Sequence, residues 1–535
     1  MMVLGINTGL AASHDVSACL VDGTGRVLAA IEEERLTRVR HAPSASPLNA
    51  VASCIQEAGI SWHDVSHVAV GWDEPRLWKR AGRGNRSGRD MLDELGAPPD
   101  AKPEIIFVPH HEAHAWSVAP LSPFDSCIVY VLDGNGEYES TSVFRYENGS
   151  GVPSLKLEAR MPRASSLGYL FEATSEWLGL GRLASGKTMG LAAYGRGREL
   201  TWLDSEIVRW HPGEQWTFFG GDPKLDYDEL QAMWSSAISE RFGGPMRRHD
   251  IFELHRCERA INAAWAAQNT VEQAITRLVS YFREKTGVLE ACFAGGVALN
   301  CAATGRLSGP RFTPPWPHDG GVAIGAAWAV VRPRRATATP FLGPRPATES
   351  SRKEDYGTVH EFDAADIADR LMAHQIGAVC SGRSEFGPRA LGNRSIIALP
   401  TVPEMQDNVN LRKGREPWRP FGPATTSSGS GLWEDISFLD KYMVGAAAMT
   451  DVGRRLLPAV AHVDGTTRPQ AIDPRETSPF ASIVLEMERR GVPAVLNTSF
   501  NGPGEPIIQT ATEALSAFRA QQLDFLVLDD KVVTT

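Results

Sequence analysis

Cysteine is scarce: seven residues in a chain of 535, odd in number, scattered, and with no C-x-x-C pair. That usage argues against a disulfide framework and places the protein in a reduced cytoplasm. No apolar run approaches the length of a membrane span, and MMVLGINTGL reads as a strand, not a signal peptide, so no membrane is expected. An excess of basic charge is missing too. Lys and Arg number 54 against 64 Asp and Glu, a formal net charge of −10. With no basic arm or stripe to offset it, nucleic acid is not expected as a partner. What remains is ordinary for a globular protein: 42% hydrophobic and 22% charged residues, long enough for roughly two to four domains.

One cluster stands out. In Pro109-His110-His111-Glu112-Ala113-His114, the spacing puts His110 and His114 on one face of a helix, with Pro109 suited to its first turn. SCIVYVLDGNGE follows, a β-rich run that ends at Asp133 before a Gly-rich turn. Two imidazoles and a carboxylate suit a divalent metal that also meets phosphate oxygens. The zinc-protease pattern fails, because His111 and His114 stand three apart where four is required. Asp319, ahead of a small-residue helix, reads equally as an N-cap or as a further ligand.

The chain opens as strand, loop, strand, turn and strand: VLGINT, GLAASHD, VSACLV, Asp22 to Gly25, RVLAAIEEE. IVYVLD, GNGEYES and TSVFRY repeat the pattern, which predicts two related lobes that each present a loop to a shared cleft. Residues 165–290 read as mostly helical. LEACFAGGVALN then gives a strand, the pair Gly295-Gly296 and a helix start whose N–H groups can face phosphate. Residues 336–356 are rich in Pro, Ser, Thr and charge and read as a linker. They separate a first domain, 1–335, from a second α/β domain, 357–535. That second domain holds Arg383, Arg389, Arg394, Arg412, Lys413, Arg415, Arg419 and Arg468 in Gly/Pro/aromatic loops. With Asn497, Thr498, Ser499 and Asn501 they suit an anion that carries a planar carbonyl or amide.

Together these motifs resemble the NodU/CmcH-type O-carbamoyltransferases, including antibiotic-tailoring members. The matching stretches run along nearly the whole chain: SHDVSACL, AAIEEERLTR, GWDEP, VPHHEAHAWS, VLDGNGE, GKTMGLAAYG, FAGGVALN, HDGGVAIGAA, SEFGPRALGNRSI, RPFGP, HVDGTTR and LNTSFNGPGEP. The resemblance implies an α/β fold, with a two-lobed Kae1-like domain of the actin/hexokinase/Hsp70-like superfamily followed by a YrdC-like domain. It implies His110, His114, Asp133 and Asp319 as ligands of a metal, Fe²⁺ or Mn²⁺ by its N/O donors. It assigns ATP, with accompanying Mg²⁺, to Asp133, Gly134, Gly136, Leu167, Gly168, Lys187, Gly295, Gly296, Val297 and Asn300. Carbamoyl phosphate falls to Arg389, Lys413, Arg419, Arg468, Asn497 and Ser499. The implied reaction joins carbamate to AMP and passes the carbamoyl group to an acceptor hydroxyl.

His14 is the candidate general base or acceptor contact and Asp133 its catalytic companion, with Arg38 and Asp73 also assigned to the acceptor. The loop Leu10-Ala11-Ala12-Ser13 has no carboxylate to receive an amine, which favours a glycosyl hydroxyl of a natural product such as a polyketide. The expected partners are that small acceptor and a second copy in a homodimer. Rival readings are a sugar or acid kinase of the same superfamily, a threonylcarbamoyl-tRNA enzyme, disfavoured by the acidic balance, and a non-catalytic nucleotide-binding regulator.

Overall fold

A computed structural model describes the whole chain except residues 9–13, 81–86, 150, 204, 212–214, 347–357, 436–440 and 535. The loop 10–13 and the linker from 347 onward therefore lie outside the described residues.

Strands β1 (Met2–Asn7), β2 (Ser17–Asp22), β3 (Val27–Glu32), β4 (His67–Val70) and β5 (Glu104–Phe107) form one sheet in the order β3-β2-β1-β4-β5. The β1-β2-β3 meander is antiparallel, and β4 and β5 add in parallel. A second sheet repeats that design. Its meander is β6 (Ser126–Leu132), β7 (Glu139–Glu147) and β8 (Ser154–Pro162), and the strands Ala291–Ala294 and Arg311–Phe312 add in parallel beyond β6. The two related lobes expected from the repeated pattern are therefore a duplicated sheet topology.

Two short helices cross between the lobes. The helix His110–Val118 packs on β6 and its neighbour Ala291–Ala294, while Val322–Val331 packs on β1, β2 and β4. They meet at Gly325, where a Cβ would lie 1.7 Å from the carbonyl oxygen of Ala113. Only a residue without a side chain lets the backbones come this close. The region 165–290 is helical as expected, with helices at Leu167–Trp177, Ser185–Ala192, Tyr227–Phe242 and Glu258–Thr286, but it also holds a hairpin, Val208–His211 with Gln215–Phe218.

The C-terminal part is built on an eight-stranded mixed sheet in the order Thr358–Glu361, Lys531–Thr534, Phe525–Leu528, Gly377–Cys380, Arg394–Ala398, Ala494–Ser499, Gly422–Thr426, Gln470–Ile472. The helices Ala364–Met372, Pro479–Arg489 and Ala511–Ala520 bury their apolar faces in its core. The Pro-rich segment ahead of it is not loose where it is described. Ala336 and Leu342 are buried in the N-terminal core, and the Leu342 and Gly343 carbonyls receive bonds from Ala30 and Arg383. No described helix is long and apolar enough to cross a membrane.

Candidate active site

The helix His110–Val118 starts where it does because Glu137, in the turn after β6, supplies the missing acceptor. Its carboxylate takes the His110 N–H at 2.9 and 3.1 Å, and the Asp73 N–H at 2.9 Å. An anion at a helix N-terminus satisfies orphan donors and opposes the dipole. Pro109 sits one place ahead of the first turn, at the N-cap. The ring of His110 is stacked on Trp72, 3.7 Å between centroids, and its Nδ1 donates to the Gly71 carbonyl at 3.1 Å. That bond directs Nε2 inward.

Facing His110 Nε2 are His114 Nε2 at 3.2 Å, Asp133 Oδ2 at 3.4 Å and Asp319 Oδ1 at 3.7 Å. His114 Nε2 lies 3.4 Å from Asp319 and 3.9 Å from Asp133. All four donor atoms fall within 4.8 Å of one another, and all four residues are buried. Asp133 Oδ1 accepts from the Gly296 N–H at 2.9 Å, which leaves Oδ2 for the cluster. Asp319 begins a 3₁₀ turn without a capping bond, so its carboxylate is free to face the histidines.

Two nitrogens and two oxygens so placed can bind a divalent ion. The electrostatics agree. Burial disfavours charge on His110, yet Asp319 and Asp133 overcome it and raise its pKa to about 10. Two desolvated carboxylates demand a cation, which a proton or a metal ion supplies.

The cluster opens into a cavity of about 780 Å³. Of the loop residues assigned to ATP, Asp133, Gly134, Gly168, Gly296, Val297 and Asn300 line it. Gly136 packs against His111, Leu167 is buried, and Gly295 holds a positive φ of 92° with its missing Cβ 2.2 Å from the Leu132 oxygen. Those three shape the loops without lining the cavity. Lys187 pairs instead with Glu416 of the C-terminal part at 2.6 Å. His14 lines the cavity and sits 2.9 Å from Asp15 and 4.0 Å from Asp319. Burial opposes its protonation, but Asp15 and Asp319 raise its pKa to about 10. Of the two roles expected for His14, a protonated imidazole suits the hydrogen bond to the acceptor. Arg38 does not reach the cavity: it donates to the Ile507 and Pro506 carbonyls at 2.7 and 2.9 Å and so ties the two halves together. Asp73 caps the helix that follows it, accepting from Arg76, while its neighbour Trp72 lines the cavity.

A second cavity, about 190 Å³, is lined by Arg389, Arg415, Arg419, Arg468, Asn497 and Ser499 among others. Five of the six residues assigned to carbamoyl phosphate converge there. Lys413 stands behind the wall, bonded to Asn501 and to the Ser499 carbonyl, and burial together with Arg415 and Arg419 pushes its pKa well down. Arg383, Arg394 and Arg412 are spent largely on main-chain carbonyls and hold loops in place. Gly186, Met189, Pro388, Arg389 and Ser499 line both cavities, so the two share one wall.

Sequence reasoning missed Glu137 and the buried set Glu32, Arg35 and His318. Glu32 pairs with Arg35 at 2.8 Å and with His318 at 2.9 Å, and Arg35 donates to the Gly387 carbonyl at 2.7 Å, just before Pro388. The one signal for Glu137 was a carboxylate inside the GNGE turn.

The family profile described as Carbamoyltransferase N-terminus matches residues 3–77 and 93–328, and that described as Carbamoyltransferase C-terminus matches 368–535. The chain is similar to nodulation protein NolNO of Sinorhizobium fredii, 29% identical over all of this chain and 82% of that one. An uncharacterized Synechocystis protein is 31% identical over 99% and 96% of the two chains. Nodulation protein U of Sinorhizobium fredii is 24% identical over 96% and 97%. Among solved structures, full-length HypF in its phosphate- and nucleotide-bound form matches 62% of this chain and 55% of that one, with 14% identity and a TM-score of 0.35. The two profiles leave no large part of the chain unmatched, and the protein belongs to the carbamoyltransferase family.

Proposed function

We propose that the chain is an ATP-dependent O-carbamoyltransferase that works in two chambers. In the smaller one, the arginines around Arg389 bind carbamoyl phosphate, whose carbon–oxygen bond to phosphate is cleaved by water to give carbamate and inorganic phosphate. Carbamate then attacks the α-phosphorus of ATP; pyrophosphate leaves and carbamoyl-adenylate forms. In the larger chamber an acceptor hydroxyl attacks the carbamoyl carbon, its proton is released, and AMP leaves. Adenylation converts a poor electrophile into one with a good leaving group, and enclosure limits its hydrolysis.

His110, His114, Asp133 and Asp319 would hold the metal, which when bound supplies positive charge against phosphate oxygens. Gly296 orients Asp133 through its N–H. His14 would donate a hydrogen bond to the acceptor or the departing phosphate, and Trp72 would give the acceptor a flat apolar wall. The acceptor is read as a hydroxylated small molecule, with a glycosyl hydroxyl of an antibiotic such as a polyketide as the finer proposal.

The supporting observation is the wall common to both cavities, in which Arg389 and Ser499 face each side. The deciding experiment incubates the protein with carbamoyl phosphate, ATP and a panel of hydroxylated natural products. AMP, pyrophosphate and a product heavier by one carbamoyl group are expected. ADP as the nucleotide product would favour the kinase reading and overturn this one.

A further inference from the structure

Resting on that reading, we infer that Gln470 sets the selectivity of the small cavity for an N–H-bearing donor by locking the amide of Asn497 in one orientation. Gln470 is buried on the edge strand Gln470–Ile472, and Asn497 lies two strands away with Gly422–Thr426 between them. Amide oxygen and nitrogen are interchangeable in shape, so what each presents is decided by its partners. Here the partners leave no choice. The Leu391 carbonyl can only accept, and it takes Nε2 of Gln470 at 2.7 Å. The Gln470 oxygen is thereby turned to Asn497 and accepts its Nδ2 at 2.7 Å. The other hydrogen of Nδ2 points to a second fixed acceptor, the Ala390 carbonyl at 3.3 Å.

Both N–H bonds of Asn497 are used, and its Oδ1 is left buried without a hydrogen-bond partner at the wall of the cavity. A buried acceptor with nothing to accept is costly unless a ligand supplies the donor. The arginines around it (Arg389, Arg415, Arg419 and Arg468) are cations that can only donate, and the one carboxylate in the lining, Asp464, is already engaged by Arg196 and Thr466. The cavity therefore asks for an anion at one end and an N–H donor at the other. Carbamoyl phosphate has both; acetyl phosphate has the same phosphate and carbonyl, but a methyl group in place of the amine. Sites built to bond an N–H reject the analogue that lacks it, because their own polar group is then stranded. Gln470 is a positioning residue, since it acts on the ligand only through Asn497.

The test measures phosphate release from carbamoyl phosphate and from acetyl phosphate, corrected for spontaneous hydrolysis, in the wild type and in Gln470→Met. The expected result is a fall of about tenfold in the preference for carbamoyl phosphate, the weight of one neutral hydrogen bond, with acetyl phosphate turnover little changed. A preference kept within twofold, or a parallel loss on both substrates, overturns the inference. Gln470→Glu keeps an acceptor toward Asn497 and covers the case in which the Met variant does not fold. A preference near that of the wild type supports the inference, and a tenfold loss overturns it. If the wild type cleaves no carbamoyl phosphate, the functional reading falls and takes this inference with it; a cleaving wild type whose variants break the pattern sinks this inference alone.

Discussion

Gly325→Ala should weaken metal binding at the proposed His/Asp site without replacing any of its four residues. The added Cβ would stand 1.7 Å from the Ala113 oxygen, 2.6 Å from its carbonyl carbon and 3.0 Å from the Ser117 nitrogen. These are backbone atoms of the helix that carries His110 and His114, so no rotamer change can relieve the contact. Reaching even 3.0 Å from the present 1.7 Å requires the helices to part by about 1.3 Å. The opposing helix follows directly on the turn that holds Asp319. If the separation is transmitted along the line between them, the 3.4 Å from His114 Nε2 to Asp319 Oδ1 grows to about 4.7 Å. Two ligands bound to one ion at about 2.1 Å each can span ~4.2 Å at most. One must let go, and affinity should fall by roughly 10–100-fold, with an overpacking cost of about 1–3 kcal/mol. Elemental analysis gives the bound stoichiometry, chelator competition the dissociation constant, and far-UV circular dichroism shows that the variant is folded. A folded Gly325→Ala protein that binds metal as tightly as the wild type would refute the claim that this crossing sets the spacing of the site.

Three further outcomes follow from the same geometry. Arg389→Ala should lower carbamoyl-phosphate cleavage by about 100-fold or more while calorimetric ATP affinity stays unchanged; intact cleavage would remove this arginine from the site. Glu137→Ala strands the N–H groups of His110 and Asp73 and should cost about 1–2 kcal/mol of stability, together with weaker metal retention; a melting temperature equal to that of the wild type would contradict it. His318 is disfavoured as a cation by burial, but Glu32 and the nearby carboxylates Asp15 and Asp319 raise its pKa to about 9 from the ordinary 6.5. A raised folded value stabilises fully below pH 6.5 and is lost as pH rises through about 9. In urea unfolding, the wild-type advantage over His318→Gln should therefore shrink across that window, and a constant advantage would refute the assignment.

The lobes and the shared face of His110 and His114 were legible because their signals are local and periodic. Alternating strands bounded by Gly-rich turns predict a repeated meander, and two histidines four apart share one helix face. Asp319 was ambiguous, since an N-cap and a ligand leave the same letter at the same place. The N-cap expectation fails, because His318 and Gly321 occupy the cap positions of the turn and of the helix, while the Asp319 carboxylate faces His110 and His114. The strands Arg394–Ala398, Gly422–Thr426 and Gln470–Ile472 were missed because they lie among Arg, Gly and Pro residues that read as loop. They are held by the sheet around them, not by their own propensity. The role of Gln470 depends on two main-chain carbonyls 79 and 107 residues from their donors, which no window of sequence brings together.

The cations explain a second kind of misreading, and its consequence is mechanistic. Composition counts arginines and lysines as one pool, but each can be spent once. Arg38 and Lys187 looked like substrate contacts, yet both cross the boundary between the halves, Arg38 to the Pro506 and Ile507 carbonyls and Lys187 to Glu416. Arg196 reaches Asp464 at 2.7 Å, and buried Arg35 reaches Gly387. Asp464 and Glu416 are only 3% and 4% exposed, and each keeps a partner on its own side, Thr466 for Asp464 and Arg419 for Glu416. Opening the boundary would break these contacts together. The contacts hold the wall shared by the two cavities, and on the proposed two-chamber reading an intermediate formed on one side would have a short path to the other.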